Sequence, residues 1–437
     1  MTAPTVQSRT VQLGLDYGTS TSKMVFWDPL ARGKPKSYVV SKDGRFRFSS
    51  SVAYIGDDLV FGASPQDGVL PKDAQWYESV KMRVAAEAVN TYGKFCYGGL
   101  QSPPQLRFED LAVLTLWYLR QQATACIIGK LSIPRQQLAM SVTVGLPRSF
   151  YESPVLRATF LRIARAAEWL DKTATFPSAR IRLSEARQYI AAAQAHNHSG
   201  AVDERYWIRS EAEADMFWPV RCPGVPPGPC AQVDIGAGTT NTAIVSIWEG
   251  NYKQRWIKDT LGFYGVFSVP IGTDAIDLRL AGGLKIPPEA CLSLRGQERK
   301  AVAQVGAHAL REVFSSIREA YEFAWRRASS HLNQAEKQTF PDHPIFITGG
   351  GSLIPGIVEA LCNDPARPNF RRKVRPLERP NDLYMLDDKP VSNDDLVFLS
   401  AAYGLSYHPD EIPPTYETEP EPPLKELYVG LGVIYEK

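Results

Sequence analysis

The pattern of apolar and polar residues contains one short arrangement twice. Near the N-terminus an apolar run, 11–15, ends at Asp16, and after the turn YGTSTS a second apolar run begins at Lys23. In the middle of the chain the segment CAQVDIGAGTTNTAIVSIW, 230–248, repeats the order of apolar run, aspartate, glycine-rich turn and apolar run. Two apolar runs joined by a glycine turn are typical of neighbouring strands. The pattern therefore predicts two similar strand–turn–strand units.

Helices and further strands surround these units. Apolar residues recur every three or four positions over 109–129 and 154–170, which predicts two amphipathic helices. The segment SSVAYIGDDLVFG, 50–62, predicts a hairpin, and LAMSVTVGL, 138–146, predicts a buried strand. A strand over 344–348 runs into three glycines and a helix. This alternation predicts an α/β protein.

The chain has 437 residues, which is more than one hydrophobic core usually supports. We therefore expect two lobes with a cleft between them. The expected division is a first lobe, 1–190, with an insertion at about 35–138, a second lobe, 191–390, a closing helix, 391–408, and an acidic, proline-rich tail, 409–437.

Composition narrows the classes of function. The net charge is only +2, from 49 basic and 47 acidic residues, so no strong field favours nucleic acid or an anionic membrane. No apolar run approaches the roughly 18 residues of a membrane span, and the N-terminus lacks the pattern of a secretion signal. The six cysteines show no zinc-site spacing. We expect a cytoplasmic protein without disulfides.

The two glycine turns have the composition of phosphate-binding loops. Glycine lets backbone N–H groups approach an anion closely, and Thr19, Ser20, Thr239 and Thr240 add hydroxyl donors. A carboxylate beside a phosphate requires a cation between the two. Mg²⁺ prefers one or two carboxylates, water and phosphate oxygens, so Asp16 and Asp234 are the candidate ligands.

Three segments also resemble a known superfamily. LDYGTSTSK, VDIGAGTTNT and ITGGGSLIPG resemble, in order, the first phosphate, second phosphate and adenosine motifs of sugar kinases, actins and heat-shock chaperone ATPases. The nearest resemblance is to the nucleotide-binding domain of DnaK-type, seventy-kilodalton heat-shock proteins, and it spans about Gln12 to Ser406. It implies a two-lobed actin-like ATPase fold of duplicated ribonuclease-H-like domains, with ATP or ADP and Mg²⁺ in the cleft and the closing helix returning to the first lobe.

The resemblance also implies roles for single residues. Asp16 and Asp234 would hold Mg²⁺ largely through water and help to place the attacking water. The segment SVKMRVA resembles the one that carries a catalytic lysine, Lys81, and LSEARQYIAAA resembles the glutamate-bearing connection, giving Glu185 as a catalytic residue. The remaining nucleotide contacts would come from Gly18, Thr19, Ser20, Lys23, Gly236, Ala237, Gly238, Thr239, Thr240, Gly272, Gly349, Gly350, Gly351 and Ser352.

The sequence departs from the chaperone pattern in three places. Leu353 stands where the chaperones have an arginine beside adenine, and Asn241 replaces an expected aspartate. No β-rich peptide-binding domain follows Pro409, so a peptide-clamping cycle is not expected.

Three functions remain open at this level. The first is a chaperone-type ATPase whose lobe closure is read out by a protein partner. The second is an actin-like ATPase that self-assembles into filaments. The third is a small-molecule kinase, because sugar kinases also display a loop like LDYGTSTSK.

Overall fold

The computed structural model describes residues 8–31, 33–64, 71, 74–89, 102–196, 204–222, 225, 227–249, 259–269, 271–275, 307–331, 343–354, 356–363, 372–408 and 415–417. Over these residues the protein is a mixed α/β structure with several sheets. In chain order the strands are β1 Arg9–Asp16, β2 Thr21–Asp28, β3 Lys36–Val39, β4 Phe48–Ser49, β5 Val52–Ile55, β6 Asp58–Phe61, β7 Gln75–Tyr77, β8 Leu138–Leu146, β9 Arg180–Arg182, β10 Ile208–Ser210, β11 Gly228–Ile235, β12 Thr240–Glu249, β13 Asp259–Val269, β14 Pro344–Thr348, β15 Lys373–Val374, β16 Leu383–Met385 and β17 Thr415–Glu417. The helices are α1 Val80–Val89, α2 Phe108–Leu131, α3 Arg148–Glu152, α4 Pro154–Thr173, α5 Leu183–Ala195, α6 Glu211–Arg221, α7 Ala307–His331, α8 Ile357–Cys362, α9 Asn393–Leu396 and α10 Ser400–Leu405.

The two large sheets share one pairing pattern. The first has the order β10-β8-β1-β2-β3-β16, with β4 also paired to β2, and the second has the order β15-β14-β11-β12-β13-β17. In each, three consecutive strands pair antiparallel, and the first of them also pairs in parallel with a later strand. Both predicted strand–turn–strand units are therefore present, as β1–β2 and β11–β12.

A small sheet lies on the first half of the chain. Its order is β7-β5-β6-β9, and β5 and β6 form the predicted hairpin, with Ile55 paired to Asp58. Three of these strands, together with α1 and α2, lie within residues 35–138, the predicted insertion, but this range also contains β3 and β4, which pair with β2 in the first sheet.

The long helices begin where the sequence provides caps. The backbone N–H of Arg107 donates to the Asp110 side chain at 2.8 Å, which satisfies one free amide at the start of α2. At the start of α4 the Ser153 hydroxyl accepts from the Leu156 N–H at 3.4 Å, and Pro154 follows it at a position where proline needs no donor.

Strand β1 is apolar without alternation because both faces of the first sheet are covered. Its last six residues are all buried. One face contributes to a core with α2 and α4, which includes Trp117 and Phe160. The other carries α6 and α10, with Trp218 and Tyr403 in a second cluster. The second sheet has its own core against α7.

Two strands lie outside the predicted first lobe but inside the first sheet. Strand β10 pairs in parallel with β8, and β16 pairs in parallel with β3. The predicted closing helix, 391–408, is divided into α9 and α10, and α10 packs against β1 and α6. Of the predicted tail, β17 pairs with β13, while the other residues after His408 lie outside the described part of the chain.

Candidate functional site

The two glycine turns meet across a cleft. Strands β1 and β11 end at the turns that follow Asp16 and Asp234, and a Cβ on Gly238 would lie 2.8 Å from the Thr19 hydroxyl of the other turn. The cavity between them has a volume of about 570 Å³. Its lining residues are Asp16, Gly18, Thr19, Ser20, Thr21, Lys23, Arg47, Ser64, Lys81, Glu211, Asp234, Gly236, Ala237, Thr239, Thr273, Gly349, Gly350, Gly351, Leu353, Ile354, Val397, Phe398, Ser400 and Ala401.

In the first turn, strand register brings a cation to the aspartate. Asp16 pairs with Lys23 across β1 and β2, and the Lys23 ammonium donates to Asp16 Oδ2 at 3.0 Å. Burial by itself lowers the pKa of Lys23, but the nearby carboxylates, Asp16 first, outweigh this effect and raise it. Asn241 takes the corresponding place opposite Asp234, so the second turn has an amide where the first has a charge.

In the second turn, the aspartate lies opposite an amide and near two other carboxylates, Asp16 and Glu211. Asp234 Oδ1 accepts a hydrogen bond from the Thr348 hydroxyl at 3.2 Å. Burial, followed by repulsion from Asp16 and Glu211, raises the pKa of Asp234 to about 7. A cation placed between Asp16 and Asp234 would favour the ionised form of Asp234.

A buried ion pair lines the same cleft. The Lys81 ammonium donates to Glu211 Oε1 at 2.5 Å and to the Gly145 carbonyl at 3.3 Å. The side chains of the pair are only 3% and 6% exposed. The Asn241 amide donates to the other carboxylate oxygen of Glu211 at 3.1 Å. Burial raises the pKa of Glu211, and the attraction of Lys81 opposes that rise.

The structure does not bring Glu185 to this cleft. Glu185 is exposed in the first turn of α5, and the strand before it, β9, pairs with β6 in the small sheet. The strand before Glu211, β10, pairs with β8 in the first sheet, which places the start of α6 at the cleft. The segments IRLSE, which contains Glu185, and IRSE, which contains Glu211, are nearly the same, so local sequence does not distinguish the two glutamates. The two glutamates differ in the strand that precedes each of them: β9 pairs with β6 in the small sheet, whereas β10 pairs with β8 in the first sheet.

The third glycine turn is packed directly on the end of β11. Gly349 has φ +79°, and a Cβ there would lie 2.3 Å from the Ile235 carbonyl and 2.6 Å from Asp234 Oδ1. A Cβ on Gly351 would lie 2.3 Å from the Ile235 side chain. The Gly349 N–H donates to the Val397 carbonyl at 2.7 Å. Glycine is therefore required here by close approach as well as by the backbone angle.

The other predicted contacts divide into lining residues and supporting residues. Gly18, Thr19, Ser20, Lys23, Gly236, Ala237, Thr239, Gly349, Gly350 and Gly351 line the cleft. The Thr240 hydroxyl instead donates to the Ile271 carbonyl at 2.6 Å, and the Ser352 hydroxyl donates to the Gly349 carbonyl at 2.7 Å. Gly272 lies against the second turn, where a Cβ would be 2.3 Å from the Ala237 carbonyl.

Sequence reasoning missed several lining residues. Arg47, Thr273, Phe398 and Ser400 belong to segments that have no phosphate-loop pattern, and only the tertiary fold brings them to the cleft. Glu211 was missed because Glu185 has the same local context.

The acidic and basic groups of the cleft balance. Its lining carries the carboxylates of Asp16, Glu211 and Asp234, and three cations, Lys23, Lys81 and Arg47. When all six groups are ionised these charges cancel, and a bound polyphosphate would then be stabilised by an added cation. Among the described residues no three His, Cys, Asp or Glu side chains group as a metal site. Two facing carboxylates are nevertheless what Mg²⁺ uses when it keeps most of its water and binds phosphate oxygens.

Comparison with known proteins does not assign a family to the chain. No protein-family model matches the sequence, and no curated protein matches it significantly. None of the helices in the described ranges combines the length and hydrophobicity needed to cross a bilayer. Any conclusion about function therefore rests on the cleft.

Proposed function

We propose that this protein is a Mg²⁺-dependent ATPase of the heat-shock-chaperone and actin type. The observation that carries the proposal is the meeting, in one cleft, of two Asp-Gly turns, a glycine turn packed on Asp234, and a buried lysine held by a glutamate. The cavity volume, about 570 Å³, lies in the range of cofactor-sized ligand sites.

The proposed fold is the two-lobed actin-like fold of duplicated ribonuclease-H-like domains. The shared pairing pattern of the two large sheets supports this proposal, because each sheet places its Asp-Gly turn at the same end of its first strand. Helices α6 and α10 cross closely near the cleft. A Cβ on Gly404 would lie 1.9 Å from the Ala214 carbonyl, and one on Gly14 would lie 2.2 Å from the Ala402 carbonyl. In this proposal the crossing holds the start of α6, with Glu211, beside α10 at the cleft.

In this proposal each charged group has a distinct task. Asp16 and Asp234 are the residues that would hold Mg²⁺, largely through water, and the bound ion would neutralise phosphate charge. The glycine turns offer backbone N–H groups to the phosphates. Lys81 is fixed by Glu211 and stabilises negative charge that develops on the transferred phosphoryl group. Phosphoryl transfer depends mainly on such positioning and charge neutralisation.

The ATPase would act as a nucleotide-dependent switch. Lobe closure on ATP would be read out by a protein partner or by self-assembly. Ultracentrifugal pelleting with Mg²⁺ and ATP, ADP or no nucleotide separates the two readouts. ATP-dependent pelleting above a sharp critical concentration supports filaments, whereas protein that stays in the supernatant supports a partner-read switch.

The decisive experiment measures Mg²⁺-dependent ATP binding and phosphate release in four variants. Asp16→Asn and Asp234→Asn should abolish turnover, because each removes one carboxylate from the cleft. Glu211→Gln should reduce turnover strongly, whereas Glu185→Gln, which changes an exposed carboxylate outside the cleft, should retain it. Unchanged phosphate release in both aspartate variants would reject the site. A loss in Glu185→Gln with normal activity in Glu211→Gln would show that the wrong glutamate has been placed in the cleft.

A further inference from the structure

One cation of the cleft differs from the others. Lys23 contacts Asp16, and Lys81 contacts Glu211. Arg47 also lines the cleft, on the exposed segment that leads into β4. In the described part of the chain, it is the lining cation that has no carboxylate partner and no hydrogen bond from its guanidinium.

Arg47 is held by an aromatic ring instead of an acid. The centre of its guanidinium lies 4.8 Å from the centroid of Phe398 and 6.0 Å from that of Phe46. A cation over an aromatic face is attracted weakly when it is exposed to water. The contact therefore orients the guanidinium and leaves its five N–H donors available to an incoming anion.

Phe398 connects Arg47 to the glycine turn of the second sheet. A Cβ on Gly350 would lie 3.3 Å from the Phe398 ring, and the preceding residue, Val397, accepts the hydrogen bond from the Gly349 N–H. The guanidinium thus lies beside the wall of the cleft that contains Phe398 and Gly350. Such a position suits a group that must meet a ligand in a defined orientation.

We propose that Arg47 binds the phosphate chain of the ligand at the mouth of the cleft, and that Phe398 holds its guanidinium ready for this contact. A guanidinium makes two parallel, charge-assisted hydrogen bonds to a phosphate, which are stronger than its cation–π contact. The identity of the ligand as a nucleoside triphosphate rests on the proposed function, while the role of Arg47 rests on its unmatched charge.

The test compares Arg47→Met with Arg45→Met by titration calorimetry. Arg45 is a neighbouring arginine outside the cleft lining, so it controls for the loss of one positive charge from this segment. The two probes are Mg²⁺-ATP and Mg²⁺-tripolyphosphate, which carries the charge without the nucleoside. Arg47→Met should weaken binding of both probes about tenfold and by a similar factor, and Arg45→Met should change neither by more than about twofold.

A second pair of variants tests the role of Phe398. Phe398→Leu removes the ring and should weaken binding of both probes about threefold, whereas Phe398→Tyr keeps the aromatic face and should weaken binding less than Phe398→Leu does. Equal binding in Phe398→Leu and the unmodified protein would remove Phe398 from the proposal.

The two proposals fail in distinguishable ways. Normal binding of both probes by Arg47→Met overturns the role of Arg47 and leaves the ATPase proposal intact. A loss for Mg²⁺-ATP without a loss for tripolyphosphate means that Arg47 contacts the nucleoside, which also overturns its assignment to phosphate. Binding of tripolyphosphate but not ATP by the unmodified protein, still dependent on Arg47, rejects the ATPase proposal and supports this one. Binding of neither probe rejects both.

Discussion

The ion pair between Lys81 and Glu211 joins the stability of the cleft to its chemistry. Lys81→Met removes the ammonium and keeps an unbranched apolar stem, while Glu211→Gln removes the charge and keeps the shape. Each single substitution leaves the other charge without its ionic partner. That charge stays buried, because the side chains of Lys81 and Glu211 are only 3% and 6% exposed. The double variant removes both charges.

The expected loss in the free energy of unfolding follows from this burial. An exposed ion pair contributes no more than about 1 kcal/mol, but breaking a buried one costs about 3–5 kcal/mol because an uncompensated charge stays out of water. Lys81 keeps the Gly145 carbonyl and Glu211 keeps the Asn241 amide, so we expect the lower end, about 3 kcal/mol for each single variant. The double variant should also lose about 3–4 kcal/mol, which corresponds to a coupling energy of about 2–3 kcal/mol.

The assay is urea unfolding at pH 7, followed by the fluorescence of the nine tryptophans, together with phosphate release. Arg180→Met provides the control, because it breaks an ion pair with Asp58 whose side chains are 57% and 27% exposed, and it should cost less than about 1 kcal/mol. The double variant should stay inactive although it loses little more stability than either single variant. Additive costs in the double variant, or single costs below about 1 kcal/mol, would refute the assignment of a buried, coupled pair.

Two further predictions concern the pH response and the helix crossing. Because burial raises the pKa of Asp234 to about 7, the folded protein holds a proton that the unfolded chain has already released. The free energy of unfolding without ligand should therefore fall as pH rises from about 4 to about 7, while the affinity for Mg²⁺-ATP should rise over pH 6 to 8. Asp234→Asn should flatten both trends, and unchanged trends in that variant would contradict this account. Gly404→Ala should cost about 2 kcal/mol or more, because its Cβ would meet the Ala214 carbonyl at 1.9 Å. Gly129→Ala in α2, where no atom of the described residues lies within 4 Å, should instead stabilise the protein by up to about 1 kcal/mol in thermal unfolding, and equal effects of the two substitutions would contradict the crossing.

Local sequence was sufficient for much of the secondary structure. Apolar runs before Asp16 and Asp234, the glycine turns after them and the helices of 108–131 and 154–173 were all predicted within a few residues. These features depend on short-range properties: periodicity, capping side chains and the backbone freedom of glycine. The same properties placed Asp16, Lys23 and Asp234 at the ends or starts of strands, where the structure has them.

The pairing of strands that are far apart in the chain could not be predicted from the sequence. Short strands such as β10 and β16 belong to the first sheet because of partners far away in the chain, and no local pattern specifies those partners. For this reason the predicted end of the first lobe, residue 190, lies before two strands of the first sheet, β10 and β16.

The sequence by itself determined the two Asp-Gly turns, since a carboxylate at a strand end and glycines beyond it are local properties. Tertiary structure decided which glutamate meets Lys81, because Glu185 and Glu211 follow nearly identical segments and differ only in the sheet that their strands join. It also decided that Arg47 reaches the cleft with no acidic partner among the described residues, because Arg47 and Phe398 are distant in sequence and meet only when the first sheet and the segment before α10 pack together.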